Sequence, residues 1–111
     1  MGFSETKDPR GVLVLQVDGQ LIVGNRQDLK DLIQAALDRG ERRILLDFSR
    51  TGYIDSSGLG ALVSLSKRIR EVGGELRLSG LNDDLRSLFE LTKLDTLFAI
   101  ADTSQQALAS F

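Results

Sequence analysis

Val12-Leu13-Val14-Leu15-Gln16-Val17 is a short run of aliphatic and β-branched residues, and a run of that length and kind predicts a strand. Asp18-Gly19 follows, the dipeptide that suits the positive φ angles of a type I′ turn, so Gln20 to Val23 is expected to return as the second strand of an N-terminal hairpin. The period then changes. Leu29, Leu32, Ile33, Ala36 and Leu37 recur three and four residues apart, behind Asn25 as N-cap and Asp28 in the first turn, with Gly40 at the C-terminal end; this is a helix. Arg43 to Phe48 is apolar throughout its centre, as in a strand covered on both faces, and Ser49 to Ile54 is expected to be a connecting loop.

A second helix is predicted from Asp55-Ser56-Ser57 to about Val72, with Leu59, Leu62, Val63, Ile69 and Val72 as its apolar stripe and Gly73-Gly74 as its stop. Glu75 to Ser79 alternates with period two, as a strand does. Asn82 is placed to cap a third helix, with Asp83 and Asp84 at its positive end and Leu85, Leu88, Phe89 and Leu91 facing inward. Leu97 to Ile100 is expected as a last strand and Thr103 to Phe111 as a short terminal helix. The order is ββαβαβαβα. Strands alternating with helices imply right-handed crossovers, hence an α/β fold with a central mixed, mostly parallel β-sheet, an N-terminal hairpin and about four helices. Residues 1–10 are polar, contain the sole proline and are expected as a flexible lead-in; residues 11–111 are expected as a single domain.

Composition mainly removes possibilities. The 111 residues are 41% hydrophobic and 27% charged, the proportions of a globular domain. The net charge is −2, which argues against a nucleic-acid partner, whose phosphates call for a basic face. There is no Cys and no His, so zinc ribbons, disulfides, thiol catalysis and a Ser-His-Asp triad are excluded. No apolar run approaches the roughly 20 residues of a membrane span, and the N-terminus has no apolar signal core, so a cytoplasmic protein is expected. The carboxylates are scattered and the hydroxyls lack a base, so no enzyme, no cofactor and no metal site is expected. Asp83-Asp84 is explained by the helix dipole, and Lys67, Arg68 and Arg70 by a solvated helix end. Asp47 ends a buried strand as in a receiver domain, but the acidic pair such a domain needs after its first strand is missing, which leaves Asp47 as a loop-capping residue.

One stretch carries chemistry: Tyr53-Ile54-Asp55-Ser56-Ser57-Gly58-Leu59-Gly60, between a buried strand and a helix, where α/β proteins place function. Asp and Ser are also favoured N-caps on local physics alone. Gly58 and Gly60 tip the balance, because each costs up to about 1 kcal/mol against Ala inside a helix, a cost that a close backbone approach would offset. Ser57, Gly60, Ala61 and Ser64 share one face at helical spacing, and none is bulky. That smooth face suits another protein's surface, with packing on the chain's own sheet as the other reading. Ser49, Thr51, Ser64 and Ser66 read as loop or solvated-helix hydroxyls.

Asp55-Ser56-Ser57-Gly58-Leu59-Gly60, following Leu45-Leu46-Asp47-Phe48-Ser49, resembles the signature of STAS domains, specifically bacterial anti-sigma factor antagonists. The resemblance runs from about Val12 to Ile100 and includes Gly73-Gly74-Glu75-Leu76 and Leu85-Arg86-Ser87-Leu88-Phe89-Glu90-Leu91. It implies the STAS fold and phosphorylation of Ser56, with Ser57 as the competing acceptor, by a partner that is both anti-sigma factor and GHKL-type serine kinase. It further implies that the unphosphorylated form binds that partner, that phosphorylation ends the complex, and that a PP2C-type phosphatase resets it. Asp55, Ser56, Ser57, Gly58, Gly60, Ala61 and Ser64 would form the docking surface. The other function within the same resemblance is a constitutive STAS adaptor in a multi-protein assembly: a stress-sensing scaffold, or a transporter or lipid-transport complex.

Overall fold

In a computed structural model of the chain, which describes residues 2–111, the element order is ββαββαβαβα. Strands β1 (Gly2–Lys7) and β2 (Leu13–Leu21) precede α1 (Arg26–Asp38), β3 (Arg43–Asp47), β4 (Thr51–Ile54) and α2 (Ser56–Glu71). Then come β5 (Glu75–Ser79), α3 (Asp83–Leu91), a 3-10 turn (Leu94–Thr96), β6 (Ala99–Ala101) and α4 (Ser104–Ala109). The sheet runs β1-β2-β3-β5-β6, and β4 pairs with the far end of β2. Only β1–β2 is antiparallel; every other pairing is parallel. The expected mixed, mostly parallel sheet with four helices is therefore observed, with six strands rather than five.

Alternation in β3 explains the layering. Ile44 and Leu46 face α1, α2 and α3 in the main core, with Leu15, Val17, Leu29, Ile33, Leu62 and Phe89. Leu45 points the other way, into a small cluster with Val12, Ala107, Leu108 and Phe111, where α4 covers the sheet. The near-continuous apolar run read from the sequence thus reflects cover on two faces. Arg77 lies on the α4 side as well; its guanidinium stacks 4.6 Å from the Phe111 ring centroid and donates to Ser110.

Three expectations are corrected here. The loose lead-in is instead a strand, Gly2–Lys7 pairing residue by residue with Asp18–Leu13, while Met1 lies outside the described residues. Its polar side chains are those of an edge strand, and Glu5 and Lys7 reach Arg39 and Glu41. The hairpin turn accordingly lies at Asp8–Val12, closed by Asp8 N–H to Val12 O at 2.8 Å. Asp18-Gly19 does not turn the chain: Gly19 has φ +90°, but β2 runs on through it. The positive φ coincides with a ladder irregularity, where Gly19 pairs Thr51, Gln20 pairs Tyr53, and Gly52 is left over. Ser49–Ile54, expected as loop, contains β4.

Two helix faces also differ. In α2 the buried set is Gly58, Leu59, Ala61, Leu62, Leu65 and Ile69, so Leu65 replaces Val63, which is 38% exposed. In α3, Leu91 is 83% exposed rather than inward, because it lies two residues past Phe89 and thus on the opposite side of the helix.

Strand β4 and the start of α2 are fixed to β2 by specific contacts. Thr51, buried, donates its hydroxyl to Val17 O at 2.7 Å. Asp55 N–H donates to Leu21 O at 3.1 Å, and a Cβ on Gly58 would fall onto that same carbonyl oxygen and lie 2.9 Å from Ile54 Cγ2. Thr51→Val is expected to lower stability by about 1 kcal/mol through the lost hydrogen bond, measured by urea denaturation. Gly58→Ala should cost about 2 kcal/mol, since the contact it creates is with backbone that cannot swing away; an unchanged midpoint would refute this close packing.

Candidate functional site

Asp55 is the N-cap of α2. With φ −90° and ψ 179° it is extended, and its Oδ1 accepts the Gly58 N–H at 2.7 Å. Its other oxygen, Oδ2, accepts the Val23 N–H at 3.1 Å from the turn after β2. The carboxylate is thereby committed to two backbone donors and joins two segments 32 residues apart. Asn25 was expected to cap α1 with its side chain. Instead its Oδ1 accepts the Ile22 N–H and its Nδ2 donates to Gln20 O, both at 2.9 Å, so it closes the turn ahead of the helix.

Ser56 follows as the first helical residue and is exposed. Backbone N–H groups in this first turn have no intrahelical partner, and only that of Gly58 is taken by Asp55. An anion attached to the Ser56 hydroxyl therefore meets free donors and the positive end of the dipole of a 16-residue helix. Ser57 is half-buried, which makes it the less accessible of the two hydroxyls.

The remaining expected docking residues divide. Gly60 is exposed, with open space where a Cβ would be, and Ser64 is exposed. Ala61 is 1% exposed and belongs to the helix's buried face, and Gly58 is buried against Leu21. Neither Gly58 nor Ala61 presents atoms to a partner. The four-residue face read from spacing is a rim of Ser57, Gly60 and Ser64 with Ala61 turned inward. The two glycines thus have separate causes: Gly58 admits β2, while outside its own helix backbone none of the described residues comes within 4 Å of where a Gly60 Cβ would lie.

The structure adds an exposed apolar rim and a groove beside the motif. Tyr53, the sole tyrosine, is 58% exposed and shares a groove with Asp55 and Ser56, and Val23, bonded to the Asp55 carboxylate, is 63% exposed. A groove of about 470 Å³ opens beside Ser56, lined on one side by Tyr53, Ile54 and Leu59 and on the other by Asp84, Leu85 and Leu88 of α3. Tyr53 opens the stretch singled out in the sequence, whereas Val23 was expected only as the end of a strand, because an exposed apolar residue carries no periodicity signal.

The other polar positions have structural explanations. Asp47 Oδ1 accepts the Ser49 N–H at 2.9 Å, capping its loop. Thr51 is a buried strand residue rather than a loop hydroxyl. Asp83 and Asp84 occupy the first turn of α3, whose N-cap Asn82 accepts from Leu85 N–H at 2.8 Å. Lys67, Arg68 and Arg70 are exposed near the end of α2. Among the described residues, no group of three His, Cys, Asp or Glu side chains is placed to hold a metal ion, and no helix is long and apolar enough to cross a membrane.

Comparison with known proteins bears on both fold and motif. BtrV of Bordetella bronchiseptica, a candidate anti-sigma factor antagonist, is 35% identical over 101 residues, which cover 91% of this chain and 87% of BtrV. The anti-sigma F factor antagonist of Paenibacillus polymyxa is 28% identical over 109 residues, 94% of this chain and 90% of that one. The crystal structure of a candidate anti-sigma factor antagonist from Thermotoga maritima matches with a TM-score of 0.90 at 28% identity, over 97% of this chain and 92% of that chain. The STAS domain family model spans residues 4–107, from within β1 to within α4. With this sheet order, a capped helix behind Asp55 and a family match along nearly its whole length, the chain belongs to the STAS domain family.

Proposed function

We propose that the protein is an anti-sigma factor antagonist switched by phosphorylation of Ser56. In its unphosphorylated form it binds an anti-sigma factor that is also a GHKL-type serine kinase, and so frees a sigma factor for transcription. The γ-phosphate of ATP passes to Ser56 Oγ, the hydroxyl proton is lost and ADP leaves; a PP2C-type phosphatase later hydrolyses the ester. The observation that carries this reading is an exposed Ser56 at the first position of α2, directly after the Asp55 cap. The antagonist names of the Bordetella and Paenibacillus relatives support the role.

Energetics favour a switch at the interface over one in the fold. Phosphoserine carries about −1.5 to −2 charges, and at a helix N-terminus that charge is favourable by itself. Against a fixed like charge about 5 Å away in a partner, each added unit costs roughly 3 kcal/mol at an effective dielectric near 20, on the order of a hundredfold in affinity. The docking surface comprises exposed Ser56, Gly60 and Ser64 with half-buried Ser57, and Asp55 holds it in place.

Incubation of the purified protein with ATP and lysate of its host under phosphatase inhibition should place phosphate on the Asp55–Gly60 peptide at Ser56, read by mass spectrometry. Ser56→Ala should keep the fold and refuse the phosphate, and Ser56→Asp should weaken partner binding. Phosphorylation of the Ala variant at the wild-type rate would remove the assignment; phosphate on Ser57 instead would move the switch by one residue. Absence of phosphate under several stress conditions would favour the constitutive adaptor. Gly60→Ala separates fold from docking: it should raise the melting temperature, because a helix-interior glycine gives up to about 1 kcal/mol to alanine, and yet lower partner affinity. Improved stability with unchanged affinity would show that no partner approaches Gly60.

A further inference from the structure

The parallel ladder between β2 and β4 ends with Leu21 opposite Ile54. Past that pair Asp55 N–H donates to Leu21 O at 3.1 Å, and the two segments then diverge, Val23 into a turn and Ser56 into α2. The hydrogen bond from Val23 N–H to Asp55 Oδ2, 3.1 Å long, bridges them. The turn itself is closed from within by both ends of the Asn25 amide and by Asn25 N–H to Ile22 O at 3.1 Å. On this braced turn the apolar side chain of Val23 is 63% exposed.

A single exposed valine needs no explanation on an ordinary surface. Here its backbone is pinned to the residue preceding the phosphorylation site, through one oxygen of a carboxylate whose other oxygen starts α2. Capping the helix requires only one acceptor; the second oxygen serves the turn alone. A side chain displayed by a pre-ordered turn loses little freedom on binding, and its apolar character calls for a neutral, apolar surface opposite, since a charge there would be stripped of water without a partner.

We propose that Val23 is a contact residue for the protein that phosphorylates Ser56, and that Asp55 is the positioning residue that presents it. The inference rests on the phosphorylation of Ser56 proposed above and extends that docking surface from α2 to the Ile22–Asn25 turn. Asp55→Asn is the discriminating change: it keeps an acceptor for the Gly58 N–H but turns an amide NH2 toward Val23, so the helix stays capped while the turn is released.

The test measures initial rates of Ser56 phosphorylation at several protein concentrations, using ATP and host lysate, for the wild type, Val23→Ser, Val23→Ile and Asp55→Asn. Val23→Ser should raise the apparent KM about tenfold with little change in maximal rate, and Val23→Ile should restore it. Asp55→Asn should raise KM similarly, with faster hydrogen exchange at the Val23 amide and an unchanged rate at Leu59. A wild-type KM for Val23→Ser overturns the contact, and a raised KM for Asp55→Asn without faster Val23 exchange overturns the positioning role. No phosphate on wild-type Ser56 would refute the switch itself, and this inference with it, an outcome distinct from a phosphorylated wild type matched by Val23→Ser.

Discussion

The Leu21 carbonyl and the Asp55 carboxylate meet at the joint on which the site depends. Leu21 O accepts the Asp55 N–H and sits where a Cβ on Gly58 would lie, so the first turn of α2 can rest on β2 only if residue 58 has no side chain. Asp55 then spends one oxygen on that turn and the other on the turn after β2. Strand end, helix start and neighbouring turn become one rigid unit, and the Ser56 hydroxyl is displayed from it. Its rigidity comes from backbone donors satisfied by a charged acceptor, bonds stronger than those between neutral groups, together with a contact that has no slack.

This joint explains why the motif is informative and also how its residues can be misread. Gly58 and Gly60 look alike in sequence, two costly glycines in the first turns of a helix. One has β2 where its Cβ would lie and the other has open space, and the difference depends on which helix side faces β2. The same geometry takes Ala61 out of the small-residue face: Gly58, Ala61, Leu62, Leu65 and Ile69 lie three or four apart on one buried stripe. Val63 and Leu65 are equally apolar, and only the angle about the helix axis separates them.

What could be read from sequence follows the strength of local signals. Helices α1, α2 and α3 were legible because their apolar residues repeat at helical spacing and because Asp55 and Asn82 are favoured caps, and both make the expected side-chain bonds. β3 was legible because both of its faces are covered. β1 was not: Phe3-Ser4-Glu5-Thr6-Lys7 has an edge strand's polarity, and its partner is defined only by the ladder to β2. β4 was hidden for a related reason, since two of its four residues, Gly52 and Tyr53, are exposed. Asp18-Gly19 carried a true backbone signal, a positive φ at Gly19, but tertiary pairing used it within a continuous strand rather than a turn. At the site, Asp55 and Ser56 announce themselves by type and position. Val23 does not, because its link to Asp55 is a hydrogen bond across 32 residues.

The division of labour between Asp55 and Ser56 bears on how a charged modification can act without unfolding its host. If the phosphorylated residue were itself the cap, modification would compete with the bond that starts the helix, and switching would cost stability. Here the cap is the preceding residue, its oxygens are already engaged, and the first two helical N–H groups stay free for the added anion. The price is proximity: a phosphate on Ser56 would bring a second negative charge beside Asp55, in a region that already presents Asp84 at the nearby groove. The helix dipole offsets part of that repulsion inside the domain, whereas a partner surface that approaches from outside has no such compensation. On the proposed reading, a phosphate on Ser56 would therefore be tolerated by the folded domain and opposed at the interface, an asymmetry that would let the fold stay constant while its binding changes.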